Sequence, residues 1–222
     1  MVGSRAAGTV ALLVLAGAAS AVPAYGAPTS TTTLVLSTVQ SAYGQTVTAS
    51  AHVDTPGGPA EGDVTFTIDG SVIKANLRAD GSASAVLPRA LVGEHPVSAT
   101  FAPQFPDRQA SSASPTVTWV VSQVRTRLQV RVTGRGARIP TSVVVTAAGE
   151  YGTRPTGPVT VTVRHLGTGT ITPRERTLDT TGAALARFGI LRTGTYRLRV
   201  TYAGDGQHLA ERHSEKFAVR QR

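Results

Sequence analysis

A β-rich passage occurs twice in this chain of 222 residues. It consists of an alternating apolar strand, a glycine turn and a longer strand that begins with glycine. Gly81 and Gly93 of the first copy recur as Gly182 and Gly194 of the second, both with an offset of 101 residues. The three segments lie at 64–68, 79–83 and 93–101, and again at 159–163, 179–183 and 194–202. Because a fixed order of elements at this distance indicates duplication of a whole unit, the sequence predicts two tandem domains.

Both copies show the two-residue periodicity of half-buried strands. In the first copy Val47, Ala49, Ala51 and Val53 alternate with polar residues, and a turn cluster follows at 55–59. About seven such strands per copy, with turn signals roughly every 8 to 12 residues, are typical of an antiparallel sandwich. No window after residue 26 has helical spacing. The predicted fold is therefore all-β, with two tandem antiparallel β-sandwiches of about seven strands each.

One connection is longer in the second copy. The offset between equivalent residues grows from 95 at Val64 and Val159 to 101 at Gly81 and Gly182. Since insertions are tolerated best at exposed connections, we expect this one at a sheet edge.

The first 26 residues have the composition of a secretory signal peptide. Arg5 supplies a positive charge, residues 9–19 are apolar, and small residues follow. Cleavage after Ala21 and cleavage after Gly26 both fit, and the second is favoured. An uncleaved anchor is the alternative, although the apolar run is shorter than the about 20 residues that a spanning helix needs. No later segment is apolar enough to span a membrane, so we expect a secreted, extracellular protein that could associate with the cell wall.

These signals divide the chain into five parts. We expect a signal peptide at 1–26, a disordered polar lead at 27–32, a first domain at 33–121, a short linker at 122–125 and a second domain at 126–222. Cysteine is absent, so neither a disulfide nor a thiolate metal site supports these domains. Each must therefore rest on its own apolar core.

Charge is distributed unequally between the two copies. From residue 27 to 121 four basic residues accompany seven acidic ones, whereas from 122 to 222 seventeen basic residues accompany six acidic ones. A codon bias that favours arginine would raise the positive charge of both copies alike, so it does not explain this difference between them. The second copy is therefore the better candidate for contact with an anionic partner.

Strand alternation predicts where the basic side chains of the second copy point. Val159, Val161 and Val163 face the core, and the neighbouring strands follow the same rule. The residues expected on one exposed face are Arg164, Arg197, Arg199, Lys216 and Arg220. A secondary basic row is expected at Arg125, Arg127 and Arg131.

Guanidinium groups match the oxygens of phosphates and carboxylates, so an anionic cell-wall polymer is the expected partner of this face. Another envelope protein is an alternative partner. A solvated face that keeps an exported sandwich soluble explains the same residues without any ligand. Nucleic acid is disfavoured, because no helix and no aromatic platform accompanies the arginines. The oligomeric state is not determined by these patterns.

The remaining polar residues do not form a recognisable catalytic or metal site. The five histidines are scattered, no Asp-x-Asp-x-Asp spacing is present, and no Gly-x-Ser-x-Gly elbow occurs. We therefore expect no catalytic residues, no metal and no cofactor, and a protein that is not an enzyme. Trp119 is expected to pack in the core or at the domain junction, with Val219 as its counterpart.

The chain resembles the bacterial Ig-like repeats of secreted and surface proteins. The first copy carries the motif segments 32–34, 43–45 (Tyr-Gly-Gln), 62–66, 79–83 and 93–95, and the second carries 157–161, 182–184, 194–196 and 202–205 (Tyr-Ala-Gly-Asp). Two segments depart from the pattern. Residues 101–104 replace the Gly-Asp turn in the first copy, and residues 139–141 replace Tyr-Gly-Gln in the second.

The resemblance implies two tandem immunoglobulin-like sandwiches without common catalytic residues. The expected function is that of a secreted, non-enzymatic structural or adhesive module of the bacterial cell envelope or extracellular space. The alternative is an accessory binding module for an anionic envelope glycan or phosphopolymer.

Overall fold

The computed structural model describes residues 27–56 and 58–221, and the predicted signal peptide lies outside them. The described residues form sixteen strands and one short 3-10 turn at Glu150–Gly152, without an α-helix. The first nine strands are β1 Thr31–Leu36, β2 Gln40–Ala42, β3 Thr48–Asp54, β4 Gly62–Ile68, β5 Ser71–Asn76, β6 Ser82–Val86, β7 Gly93–Pro103, β8 Ser112–Ala113 and β9 Val117–Ser122. The others are β10 Thr126–Thr133, β11 Pro140–Gly149, β12 Pro158–His165, β13 Ile171–Thr177, β14 Ala183–Ile190, β15 Gly194–Tyr202 and β16 Glu211–Val219.

Strands β1 to β9 form the first sandwich. One sheet has the order β1-β3-β6 and the other the order β2-β9-β7-β4-β5, with β8 added to β7. Alternate residues of the central strands, such as Val64, Phe66 and Phe101, point between the sheets and are fully buried. They belong to one continuous apolar core, which stabilises this half without covalent cross-links.

Strands β10 to β16 form the second sandwich. Its sheets have the orders β10-β11-β14 and β13-β12-β15-β16, and a separate apolar core lies between them. Both sandwiches are immunoglobulin-like and confirm the predicted all-β fold class. The first has nine strands and the second seven, because β2 and β8 have no strand counterparts in the second half.

Equivalent hydrogen bonds occur at equivalent places in the two sandwiches. Val64 pairs with Phe101 in the first, and Val159 pairs with Tyr202 in the second. The Gly81 N–H donates to the Arg78 carbonyl, and the Gly182 N–H donates to the Asp179 carbonyl. The longer connection of the second half lies between β12 and β13, and β13 is an edge strand, as predicted.

Two sequence equivalences need correction. Trp119 pairs with His95, and Phe217 pairs with Tyr196, so the counterpart of Trp119 is Phe217 and not Val219. The Tyr43 N–H donates to the Ser122 carbonyl, and the Ala137 N–H donates to the Arg220 carbonyl in the same place of the second sandwich, so Ala137 is the counterpart of Tyr43. Residues 137–139, rather than 139–141, therefore replace the Tyr-Gly-Gln segment.

The beginning of the first sandwich lies slightly earlier than the predicted boundary at residue 33. Strand β1 begins at Thr31, and Thr32 is buried with its hydroxyl 2.7 Å from Ser112 Oγ. Ser30 Oγ also donates to the Ala110 carbonyl. These contacts tie part of the predicted polar lead to the sandwich, while the domain boundaries themselves stay a prediction.

A loop of the second sandwich, residues 205–208, contacts the first sandwich; we call it the junction loop. Gln207 Oε1 accepts a hydrogen bond of 2.7 Å from the Val92 N–H. The His208 ring lies edge-on to Tyr43, with 5.7 Å between the ring centroids. Between the sandwiches, Val124 is buried and its N–H donates to the Gln207 carbonyl. The passage from one sandwich to the next is therefore packed and hydrogen-bonded.

Candidate functional site

Three basic residues lie side by side across the outer face of the four-stranded sheet of the second sandwich. Arg164 of β12 pairs with Arg197 of β15, which pairs with Lys216 of β16. All three side chains are exposed. Because neighbouring strands are about 4.8 Å apart, three positive charges lie within about 10 Å. We call these three residues the cation row.

Two further arginines lie on the same outer face. Arg199 is two residues beyond Arg197 on β15, and Arg212 of β16 pairs with Thr201. Arg212 is not among the face residues expected from the sequence, because the polar residues at the start of β16, which begins at Glu211, show no apolar alternation. Glu175 is on this face too, opposite Thr160 and outside the cation row. The basic residues of this face therefore lie on β12, β15 and β16, and the acidic Glu175 lies on β13.

Arg220 follows the end of β16 and is also exposed. Its N–H donates to the Arg135 carbonyl, and its carbonyl accepts from the Ala137 N–H. These bonds place Arg220 at the end of the sandwich, beside the loop at 134–139, rather than on the sheet face. The structure thus brings four of the five expected face residues onto one sheet and puts the fifth at its end.

No arginine or lysine within residues 27–56 and 58–221 forms an ion pair with an acidic side chain. All four ion pairs in this part of the chain involve histidines. Like charges directly opposite each other on a sheet destabilise it by a few tenths of a kcal/mol, up to about 1 kcal/mol. The cation row therefore has an electrostatic cost that no ion pair among the described residues offsets.

The secondary basic row lies elsewhere. Arg127 and Arg131 point outward from β10, which belongs to the other sheet of the sandwich, and Arg125 precedes that strand. The two sets of basic residues thus lie on opposite outer faces. A flat surface cannot contact both sets at once.

Arg174 and Arg176 of β13 have a different role, which the sequence did not reveal. Arg174 Nε donates to the Arg187 carbonyl, and Arg176 Nε donates to the Leu185 carbonyl, at 3.3 and 3.1 Å. The Arg174 guanidinium also lies 5.8 Å from the centre of the Phe188 ring. Both side chains cross the gap between edge strands β13 and β14, so they hold the two sheets together.

Asp205, the acidic residue of the junction loop, is extensively hydrogen-bonded. Its carboxylate accepts bonds from the N–H groups of Thr156, Gln207 and His208, and His208 Nδ1 lies 2.9 Å away. Burial opposes ionisation, but these hydrogen bonds prevail and hold the pKa of Asp205 well below its usual range. Burial, followed by the nearby Asp205, raises the pKa of Tyr202. The arrangement stabilises a charged loop at the domain junction.

Within residues 27–56 and 58–221, no group of three potential metal ligands lies close enough to hold an ion. In the same part of the chain, no helix has the length and apolar character needed to cross a membrane.

Residues 32–122 match the family described as bacterial Ig-like domain (group 3). No curated protein sequence matches the chain. Among solved structures, a tetra-tandem repeat from the extending region of a large adhesion protein is 18% identical with a TM-score of 0.46, over 87% of this chain and 50% of its own. The adhesin InvE of Yersinia pseudotuberculosis is 17% identical with a TM-score of 0.40, over 84% of this chain and 58% of its own.

Fibronectin(III)-like modules of CbhA from Clostridium thermocellum are 15% identical with a TM-score of 0.34, over 85% of this chain and 94% of theirs. This chain spans half the length of the large-adhesion-protein fragment and 58% of the length of the InvE structure.

Proposed function

We propose that the chain is a secreted, non-enzymatic structural or adhesive module of the bacterial envelope, starting from the match of residues 32–122 to the bacterial Ig-like domain family. The first sandwich serves as a spacer, and the second contacts an anionic polymer outside the cell. We place the two modules at the predicted bounds, 33–121 and 126–222, joined through residues 122–125, and β1 adds Thr31 and Thr32 to the first module.

The cation row is the observation that carries this proposal. Arg164, Arg197 and Lys216 lie adjacent, exposed and without acidic partners among the described residues, at a cost to the sheet. A bound anion would offset this repulsion, since guanidinium and ammonium groups bind phosphate or carboxylate oxygens with charge-assisted hydrogen bonds. A role in solubility alone would be met equally well by dispersed charges.

A second candidate function differs in what the binding is for. In that case the chain is an accessory module that captures a soluble anionic glycan or phosphopolymer. The same cation row favours it, but the bound polymer would be free rather than part of a wall. Competition with soluble polymer separates the two functions. A capture module should be released from wall fragments at soluble-polymer concentrations near its own Kd, whereas an adhesive module that prefers wall-bound polymer should need a large excess.

Retention of the full chain on purified cell-wall fragments, measured at increasing NaCl, tests the proposal. We expect retention at low salt that declines steeply as salt rises, because each ion contact releases a counterion. The double variant Arg197→Ser/Arg199→Ser should reduce retention about tenfold.

The matched control is Arg78→Ser/Arg108→Ser, which removes two exposed arginines from the first sandwich. It should be retained like the unmodified chain. Retention that is indifferent to salt, or that both double variants reduce equally, would show that the face is only a solvated surface.

A further inference from the structure

Four segments meet at the end of the second sandwich that lies opposite the junction loop. The loop at 134–137 is bonded to Arg220, as described above. Pro140 pairs with Ile190, the Leu166 N–H donates to the Thr195 carbonyl, and Gly194 pairs with Val219. Residues 134–140, 165–170, 189–195 and 216–221 thus form one continuous end surface, which we call the free end.

The free end contains no acidic residue in any of its four segments. It carries five exposed basic residues: Arg135, Arg138, Arg192, Lys216 and Arg220. Glu215 is next to Lys216 in sequence, but it lies on the other side of β16, where its carboxylate is 3.8 Å from His213 Nε2. The positive potential at this end is therefore not neutralised locally.

A groove runs between the loop at 134–139 and the last strand; we call it the end groove. Arg135, Lys216 and Arg220 line it, together with Ile139 and the largely buried Phe217. The Arg135 guanidinium lies 6.0 Å from the centre of the Phe217 ring, which keeps this side chain over the groove. Lys216 also belongs to the cation row, so the groove and the basic sheet face form one surface.

The equivalent end of the first sandwich has a different role, because the second sandwich covers it. There, Tyr43 contacts His208, Gly44 lies against Thr153, and the Val92 N–H bonds to Gln207. At the free end the positions equivalent to Tyr43 and Gly44 are Ala137 and Arg138. The free end thus lacks the aromatic ring and the glycine that contact the second sandwich at the junction. A positively charged residue, Arg138, occupies the position of the glycine.

We propose that the end groove is a binding site for phosphate groups of a linear phosphopolymer, continued by the cation row. This site deepens the proposed function and rests on it. Three cations around one groove suit a phosphate, whose oxygens accept several charge-assisted hydrogen bonds at once. The groove has no exposed aromatic ring, and no Asn or Gln side chain among its lining residues could read sugar hydroxyls. It recognises charge density rather than sugar or base shape.

Binding of the full chain to inorganic polyphosphate, measured by isothermal titration calorimetry at two NaCl concentrations, tests this site. The variant Arg135→Gln/Arg220→Gln, which leaves the cation row intact, should weaken binding about tenfold and flatten the salt dependence. The matched control is Arg78→Gln/Arg108→Gln, which neutralises two exposed arginines on the first sandwich. It should bind like the unmodified chain, and thermal unfolding should show that both variants are folded.

The outcomes separate this inference from the proposed function. If the chain binds polyphosphate and cell walls but the groove variant is unaffected, the inference is overturned while the proposed function stands. If polygalacturonate, a carboxylate polymer, competes as well as polyphosphate does at equal charge, the preference for phosphate is wrong. If the unmodified chain binds neither walls nor any polyanion, both proposals fail.

Discussion

The two sandwiches share a fold, but they keep different parts of the repeat pattern. The first keeps Tyr43 and Gly44, and the second keeps Gly204 and Asp205. These are the segments that meet at the junction between the sandwiches. Their counterparts, Ala137 and Arg138 at one outer end and Pro103 and Gln104 at the other, have lost the motif. Motif residues thus persist where one repeat packs on the next, so we infer that docking of the repeats contributes to their retention.

The two outer ends, where the motif residues have been replaced, differ in charge. The free end of the second sandwich is basic throughout, whereas acidic residues such as Glu61 and Asp107 accompany Arg108 near the outer end of the first. A duplicated domain that no longer docks at an end is free to change the chemistry of that end. The comparison therefore separates residues that join repeats from residues that are available to a partner.

The largest expected effect distinguishes the two cores. Trp119 is 2% exposed, and its Nε1–H donates to Ser41 Oγ at 2.9 Å. Trp119→Ala should cost about 3–5 kcal/mol, because it leaves a large cavity and removes this hydrogen bond. Hydrogen–deuterium exchange should show lost protection in β3, β4 and β7, with β12 and β15 protected as before. The counterpart Phe217→Ala should give the reverse pattern. Equal loss in both sandwiches after either change would mean that they unfold as one unit.

The next effect concerns the charge of the junction loop. Asp205→Asn should lower the free energy of unfolding by about 2 kcal/mol at pH 7, because several N–H donors lose an ionised acceptor. The folded pKa lies below the unfolded value of about 3.9, so this stabilisation is complete above about pH 5 and declines as the pH falls below about 4. Urea unfolding at pH 7 and pH 3 should therefore show a smaller difference between the two proteins at pH 3. Asp107→Asn, in an exposed loop, is the control, and a difference that stays constant with pH would contradict this account.

A smaller effect tests the glycine of the junction. Gly44 has φ of +87°, and an added Cβ would lie 2.5 Å from Thr153 Cγ2. Gly44→Ala should cost about 1–2 kcal/mol from the backbone conformation and also push the junction apart. Arg138→Ala, at the equivalent position of the second sandwich, should change the melting temperature little. Small-angle scattering should report a looser arrangement for the first variant only, and identical profiles would show that the junction absorbs the extra methyl group.

The smallest effect concerns the cation row. Arg197→Glu should raise the free energy of unfolding by about 0.5 kcal/mol, because repulsion from Arg164 and Lys216 becomes attraction. The gain should diminish as NaCl is added. Arg187→Glu, whose strand partner is Ser142, should bring no such gain. Equal melting temperatures for both variants would mean that the row has no measurable cost.

Much of this fold followed from periodicity alone. The outward positions of Arg164, Arg197 and Arg199 followed from their alternation with apolar residues, which are buried in the structure. The strands β2 and β8 could not be predicted, because three and two residues are too short to show alternation.

The start of β16 was missed for a physical reason. Its inner-facing residues Glu211, His213 and Glu215 are polar and half-buried, so this part of the strand shows no apolar alternation. The role of Arg174, and the grouping of loops at the free end, depend on which segments meet in space. A linear pattern contains no such information, whereas the choice of the second copy as the basic one needed only the count of charges. Whether its basic surface binds a ligand stays a prediction.

Arg174 and Arg176 show that net charge overstates what a partner can reach. Both guanidinium groups are occupied with carbonyls of β14, so they contribute to the long-range field but less to direct coordination. They also occupy acceptors on a strand edge where a foreign strand could otherwise add. At high protein concentration, the edge of β14 would thus resist fibril-like strand addition. The two arginines that protect it are residues that a count of charges alone would assign to ligand binding.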